Sequence, residues 1–185
     1  MSDTYPVNFT IEIDRPLLRK YLQWRWSRSV VVVVACFFGI FGFAGSVDYI
    51  RDHATSQLGA ILYMAGAVVI SVALSLVASA VIYFGFVRRR VARYVDSLNV
   101  SVEGPFLRIR EDGLVLIDRK IHFRSIHDYS TVQDSPMRKF GMYSLSFTTS
   151  GFRSAHHGAN AILGIKDCEK VRDMLAEIDA QRENA

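Results

Sequence analysis

The chain has 185 residues, half of them hydrophobic, with a formal net charge of +4 and a mean hydropathy of +0.18. Residues 1–95 carry 10 Lys/Arg against 5 Asp/Glu, while residues 96–185 carry 12 against 13, so the pI near 9.2 reflects charges flanking apolar stretches and argues against a nucleic-acid binder. The two cysteines, Cys36 and Cys168, are far apart, which excludes a CxxC site or a disulfide framework.

Residues 1–6 read as an unstructured arm. Val7, Phe9, Ile11 and Ile13 then alternate with Asn8, Thr10 and Glu12. Period two is the pattern of a half-buried strand. A lone strand is unstable, so it is expected to pair with a sheet later in the chain or to offer an edge for strand addition by a partner. Asp14 can cap a short helix with Pro16 in its first turn. Leu17, Leu18, Tyr21 and Leu22 share one face of that helix. It leads through Trp24, Arg25 and Trp26, placed as an interfacial aromatic belt would be, into the first apolar run.

Ser29–Val47 holds 19 uncharged residues between Arg28 and Asp48, and Ala54–Val87 holds 34. About 20 apolar residues suffice to cross a bilayer as a helix. Two spans are expected, near residues 29–47 and 58–84, joined by the polar segment Asp48–His53. Two tryptophans and a strand pattern upstream set the first span apart from a cleaved leader. Arg15, Arg19, Lys20, Arg25 and Arg28 precede the first span, and Arg88, Arg89, Arg90 and Arg93 follow the second. Only Arg51 lies between them. That asymmetry predicts an inner-membrane hairpin with both termini in the cytoplasm. Gly39, Gly42 and Gly45, and Ser71, Ser75 and Ser79, are small residues at helical spacing. They are candidates for close helix packing within the hairpin, or with another copy or partner. Neither span contains Asp, Glu, Lys, Arg or His, which weighs against a channel or transporter subunit.

Residues 88–98 are expected to continue the second helix as a linker to a cytoplasmic domain over residues 99–185. Phe106–Arg110 and Leu114–Ile117 flank Glu111-Asp112-Gly113, a hairpin signal. Ile121–Phe123, Ile126–Val132, Tyr143–Thr149 and a stretch around Ala159–Leu163 add strand candidates, with Pro136 and Phe140-Gly141 as punctuation. Asp167 can cap a final helix, Cys168–Gln181, with Val171, Met174, Leu175 and Ile178 on one face. The fold class is therefore α+β. A two-helix transmembrane hairpin precedes a bent antiparallel sheet or partly open barrel of six or seven strands, closed by a C-terminal helix.

The runs Ile121–Tyr129, Val132–Gly141 and Leu145–Gly151, followed by Ile162–Asp167 ahead of the last helix, resemble the bacterial membrane-anchored pleckstrin-homology-like (PH-like) domain family. The resemblance spans roughly Leu98 to Ile178 by motif and the hairpin by architecture. It implies a seven-stranded bent sheet with a C-terminal helix, a fold generally used to bind proteins or lipids. Phosphoinositide-binding versions carry basic residues in the first strand–strand loop. That loop is read here as Glu111-Asp112-Gly113, which is acidic and short, so this type of headgroup recognition is not expected.

The leading functional expectation is an integral membrane scaffold whose cytoplasmic domain binds a protein partner or self-assembles. Arg88, Arg89, Arg90, Arg93, Arg138, Lys139 and Phe140 are the candidate contacts to the anionic leaflet or a partner. A membrane-bound enzyme using His122, His127, His156 or His157 is the alternative. However, no GxSxG, HExxH, P-loop or GxGxxG pattern is present. No cofactor, catalytic residue or metal site is assigned.

Overall fold

The computed structural model describes residues 8–53, 56–113, 115–149 and 161–183. The expected arm at 1–6, Val7, Leu114, His156 and His157 lie outside these residues. Two compact units are present: Leu22–Arg89, and a domain formed by Met1–Tyr21 together with Arg90–Ala185.

The first unit is helical. Helix α1 (Arg15–His53) runs unbroken, and α2 (Gln57–Ile82) follows. The polar stretch Asp48–His53, expected as a connection, forms the last turns of α1. It contains no Gly or Pro to stop the helix. Ser56 caps α2 by accepting the Gly59 N–H at 3.2 Å. A π-helical turn, Tyr83–Val87, joins α2 to α3 (Arg88–Ser97). Both long helices are apolar enough to cross a membrane, and only 6% of the most apolar window of each is buried.

The second unit is the domain. Strands β1 (Asn8–Thr10), β2 (Asn99–Glu103), β3 (Phe106–Asp112) and β4 (Leu116–His122) form one antiparallel sheet in the order β1-β2-β3-β4. A 3₁₀ turn, Phe123–Ser125, leads to β5 (Ile126–Val132). Helix α4 (Ser135–Phe140), β6 (Ser144–Thr149), β7 (Ala161–Leu163) and helix α5 (Cys168–Glu183) complete the chain. Strands β5-β6-β7 make a second antiparallel sheet.

The architecture is α+β with seven strands and a C-terminal helix. The sheets are separate, so the barrel alternative gives way to two open sheets. The 3₁₀ turn redirects the chain between β4 and β5, and these strands do not pair with each other.

The N-terminal strand is part of this domain. Phe9 pairs with Val102, and the Ile11 N–H donates to the Val100 carbonyl at 2.8 Å. The chain then crosses to the second sheet. Ile13 bridges Ile165, the Lys166 N–H donates to the Glu12 carbonyl at 3.0 Å, and the Asp14 N–H donates to the Gly164 carbonyl at 2.8 Å. Seven residues thus stitch one edge of each sheet together. Asp14 caps the helix that follows, accepting the Leu17 N–H at 3.0 Å. The next turn of α1, expected as a short separate helix leading to an interface, supplies core instead. Leu18 and Tyr21 are fully buried, and Tyr21 meets Phe140 edge-on at 5.7 Å.

The core lies between the sheets and beneath the helices. Val100, Val102 and Leu107 come from the first sheet, and Leu145, Phe147 and Ile162 from the second. Val171, Leu175 and Ile178 of α5 and Val91 and Val95 of α3 complete it. Burying each such side chain contributes about 1.5–3 kcal/mol relative to exposure.

Candidate membrane and partner surfaces

In the hairpin, α1 buries or half-buries Val34, Phe38, Gly42 and Ser46, four residues apart. Of the three glycines, only Gly42 sits at a close contact: a Cβ there would collide with Ser71 Oγ. A Cβ at Gly39 or Gly45 would meet nothing within 4 Å. A spacing of three drifts about 60° per step around a helix, so three such glycines cannot share one contact line. The serines recur every four, drift less, and stay together. Ser71, Ser75 and Ser79 line a 330 Å³ apolar groove with Gly39 and Gly42. Their hydroxyls add little polarity where they turn back on the helix. Ser75 donates to the Ser71 carbonyl at 2.7 Å, and Ser46 to the Gly42 carbonyl at 2.6 Å. At the far end of the hairpin Tyr49 and Tyr63 stack with centroids 4.3 Å apart. The other faces expose large apolar side chains such as Phe37, Ile40, Leu62 and Val69. An apolar surface of this extent marks a face that a membrane or a partner covers.

The basic candidates divide by environment. Arg88, Arg89 and Arg93 are exposed, and Arg90 is half-buried. Arg138 and Lys139 are exposed on α4, whereas Phe140 is half-buried with its ring turned onto Tyr21. Helix α4 forms where the sequence suggests punctuation, and the chain holds its own signals for it. Asp134 accepts the Met137 N–H at 2.8 Å, Pro136 occupies the first turn, and Gly141 closes the helix at φ 63°. Strand β2 is not among the expected elements, although Val100 and Val102 alternate ahead of the Gly104-Pro105 turn. Glu111 and Asp112, expected in a turn, are the last residues of β3, paired with Ile117 and Leu116, so the β3–β4 connection begins at Gly113; with β1 and β2 coming first, it is not the first loop of the sheet. It is held at its base, where the Asp112 N–H donates to Ser97 Oγ at 2.8 Å, and a Cβ at Gly113 would lie 3.3 Å from the Tyr94 ring.

Three of the four apolar residues of the N-terminal strand pattern are described, and β1, where that pattern begins, is the end strand of its sheet. Phe9 lies in β1, Ile11 is buried, and Ile13 bridges the second sheet.

The outer face of β2–β4 carries a charge ladder. Arg108 donates from Nε and Nη2 to the two Asp118 oxygens at 2.9 and 2.6 Å, and from Nη1 to Glu103 at 3.1 Å. Lys120 pairs with the other Glu103 oxygen at 3.3 Å. The hydrogen bond from Arg108 holds both carboxyls below their ordinary range. Three residues beyond β7, Lys166 is raised by its bond to Glu12. Cys168, at the start of α5, is buried, which raises its thiol pKa.

The two described candidate histidines lie on opposite sides of the 3₁₀ turn. His122 ends β4, where its Nδ1 accepts the Arg124 N–H at 3.1 Å and its ring meets Phe106 edge-on at 5.2 Å. His127 is exposed on β5. Among the described residues no three His, Cys, Asp or Glu side chains gather as a metal site would need.

The bacterial PH domain family model matches residues 37–178. No curated protein and no solved structure matches significantly.

Proposed function

The chain belongs to the bacterial PH domain family, and from that premise we propose that it is an integral membrane interaction protein. Helices α1 and α2 cross the inner membrane as a hairpin. Both ends lie in the cytoplasm, where the PH-like domain binds a protein partner or assembles with a second copy. The observation that carries this reading is the pairing of β1 with β2. One strand precedes the first apolar helix and the other follows the second. A single sheet holding both requires the two chain ends to lie on the same side of any membrane the hairpin crosses. The exposed apolar faces support insertion, since the core helix of a soluble protein would be mostly buried. The excess of Lys/Arg outside the hairpin favours the cytoplasmic side. Arg88, Arg89, Arg90 and Arg93 then stand next to the span, where each gains about 1 kcal/mol from an anionic leaflet. Arg138 and Lys139 are a second basic pair available to lipid or partner.

Single cysteines at Ser2 and Ser56, in a Cys36→Ser, Cys168→Ser background, test the topology in intact cells. The reading expects Ser56→Cys to react with an impermeant maleimide and Ser2→Cys to stay protected until lysis. Labelling of both before lysis, or of Ser2→Cys alone, would sink it. Native mass spectrometry in mild detergent tests assembly, with a lone monomer counting against the interaction role.

A further inference from the structure

We infer that β4 is a self-complementary edge through which two copies of this chain pair, joining their four-stranded sheets into one. The inference rests on the reading of the domain as an assembly module. Strand β4 is the last strand of its sheet. Its sequence is Leu-Ile-Asp-Arg-Lys-Ile-His. A dimer with closed two-fold symmetry needs the same patch on both partners to match itself. Antiparallel pairing about Arg119 sets Asp118 opposite Lys120 of the second copy, and Lys120 opposite its Asp118. It also sets Ile117 opposite Ile121 twice over, and Leu116 opposite His122. Opposite charges and paired β-branched residues are the favourable cross-strand combinations.

The charges at this edge also set the register. A one-residue slip would turn the strand over, and is excluded by the pleat. A two-residue slip in either direction puts Asp118 against Asp118 or Lys120 against Lys120. Charged residues on an edge strand commonly protect it from indiscriminate pairing. Here their order gives two Asp118–Lys120 pairs in one register and none in the registers two residues away, which is specificity by charge order.

The charge ladder extends to the edge. Running outward, Glu103 meets Arg108, Arg108 meets Asp118, and Lys120 returns to Glu103. Lys120 remains 53% exposed and Asp118 37% exposed. Each can therefore take a further partner of opposite sign. Next to this edge Val115 and Leu116 are 67% and 58% exposed. The one unfavourable pair is Arg119 against its own copy on the axis.

Cysteine cross-linking of the full chain in native membranes, on a Cys36→Ser background, tests this. Arg119→Cys is expected to form a disulfide-linked dimer, at a yield several-fold above a Val132→Cys control on β5. Asp118→Cys and Lys120→Cys, co-expressed with Arg119 intact, are expected to cross-link to each other, whereas neither does so alone. Circular dichroism checks that each variant folds. A dimer seen by native mass spectrometry without either cross-link would overturn the β4 surface while leaving the assembly reading standing. A monomer without cross-links would overturn both.

Discussion

Lys166 meets Glu12 twice, with its backbone N–H donating to the Glu12 carbonyl at 3.0 Å and its ammonium lying 3.0 Å from the Glu12 carboxylate. The residues are 154 positions apart, and the whole helical hairpin lies between them in sequence. The exposed ion pair itself adds little. The backbone bond matters more, because it marks where the N-terminal segment passes from one sheet to the other.

That passage makes the N-terminal segment part of the domain's core. Ile11 is 3% exposed. Ile11→Ala is expected to destabilise the domain by about 2–5 kcal/mol, the cost of a large-to-small core change. Removing residues 1–13 is expected to leave it protease-sensitive. Limited proteolysis of the detergent-solubilised chain, read on fragments of the C-terminal domain, checks both. A truncated chain as resistant as the parent would show that β1 is dispensable.

The hairpin makes a differential prediction. Gly42→Leu drives a side chain into Ser71 and is expected to cost about 1–3 kcal/mol through overpacking. Gly39→Ala and Gly45→Ala meet open space and are expected to shift thermal stability in mild detergent little. Equal loss at all three positions would refute the assigned contact line.

Gly164 combines a left-handed backbone with a close neighbour. Its φ is 73°, and a Cβ would lie 3.0 Å from Leu18 Cβ. Gly164→Ala is therefore expected to cost about 1–3 kcal/mol, mostly as backbone strain. Thermal melting of the purified chain measures it. Gly104→Ala, at a positive φ where an added Cβ would meet nothing within 4 Å, separates strain from the clash, since it should cost less.

The charge ladder sets an acid dependence. Glu103 and Asp118 have folded pKa values below their unfolded ones, first through the hydrogen bond from Arg108. Their contribution is therefore present above the ordinary carboxylate range, near pH 4. It is lost as pH falls through the lowered folded values. Arg108→Gln is expected to flatten the stability profile between about pH 5 and pH 2. Urea unfolding at a series of pH values would reveal it, and parallel curves for parent and variant would remove the ladder as the cause. The groups are exposed, so the change at neutral pH is expected to be small.

Several features could be read locally. Uncharged runs long enough to span a membrane are a one-dimensional property, as is the contrast in Lys/Arg between the hairpin's ends and its loop. The Val171, Leu175 and Ile178 face of α5 was visible at its period. The cap at Asp134 and the Val100/Val102 alternation were also present in the chain. They were obscured because short elements bounded by Pro and Gly look like loops. One strand, Leu116–His122, was split in two because its centre, Asp118-Arg119-Lys120, is polar on both faces. An edge strand at the open side of a bent sheet does not need alternation there.

The membrane-length helices and the class of domain thus follow from composition, period and short motifs, because those are set by neighbours along the chain. What joins Asn8–Thr10 to β2, Ile13 to Ile165 and Tyr21 to Phe140 is decided only in three dimensions. Each contact spans 90 residues or more. No local pattern can say that a strand ahead of the hairpin finishes a sheet begun behind it. That depends on which free edge is near, and on the hydrogen bonds an unpaired strand would otherwise leave unmade.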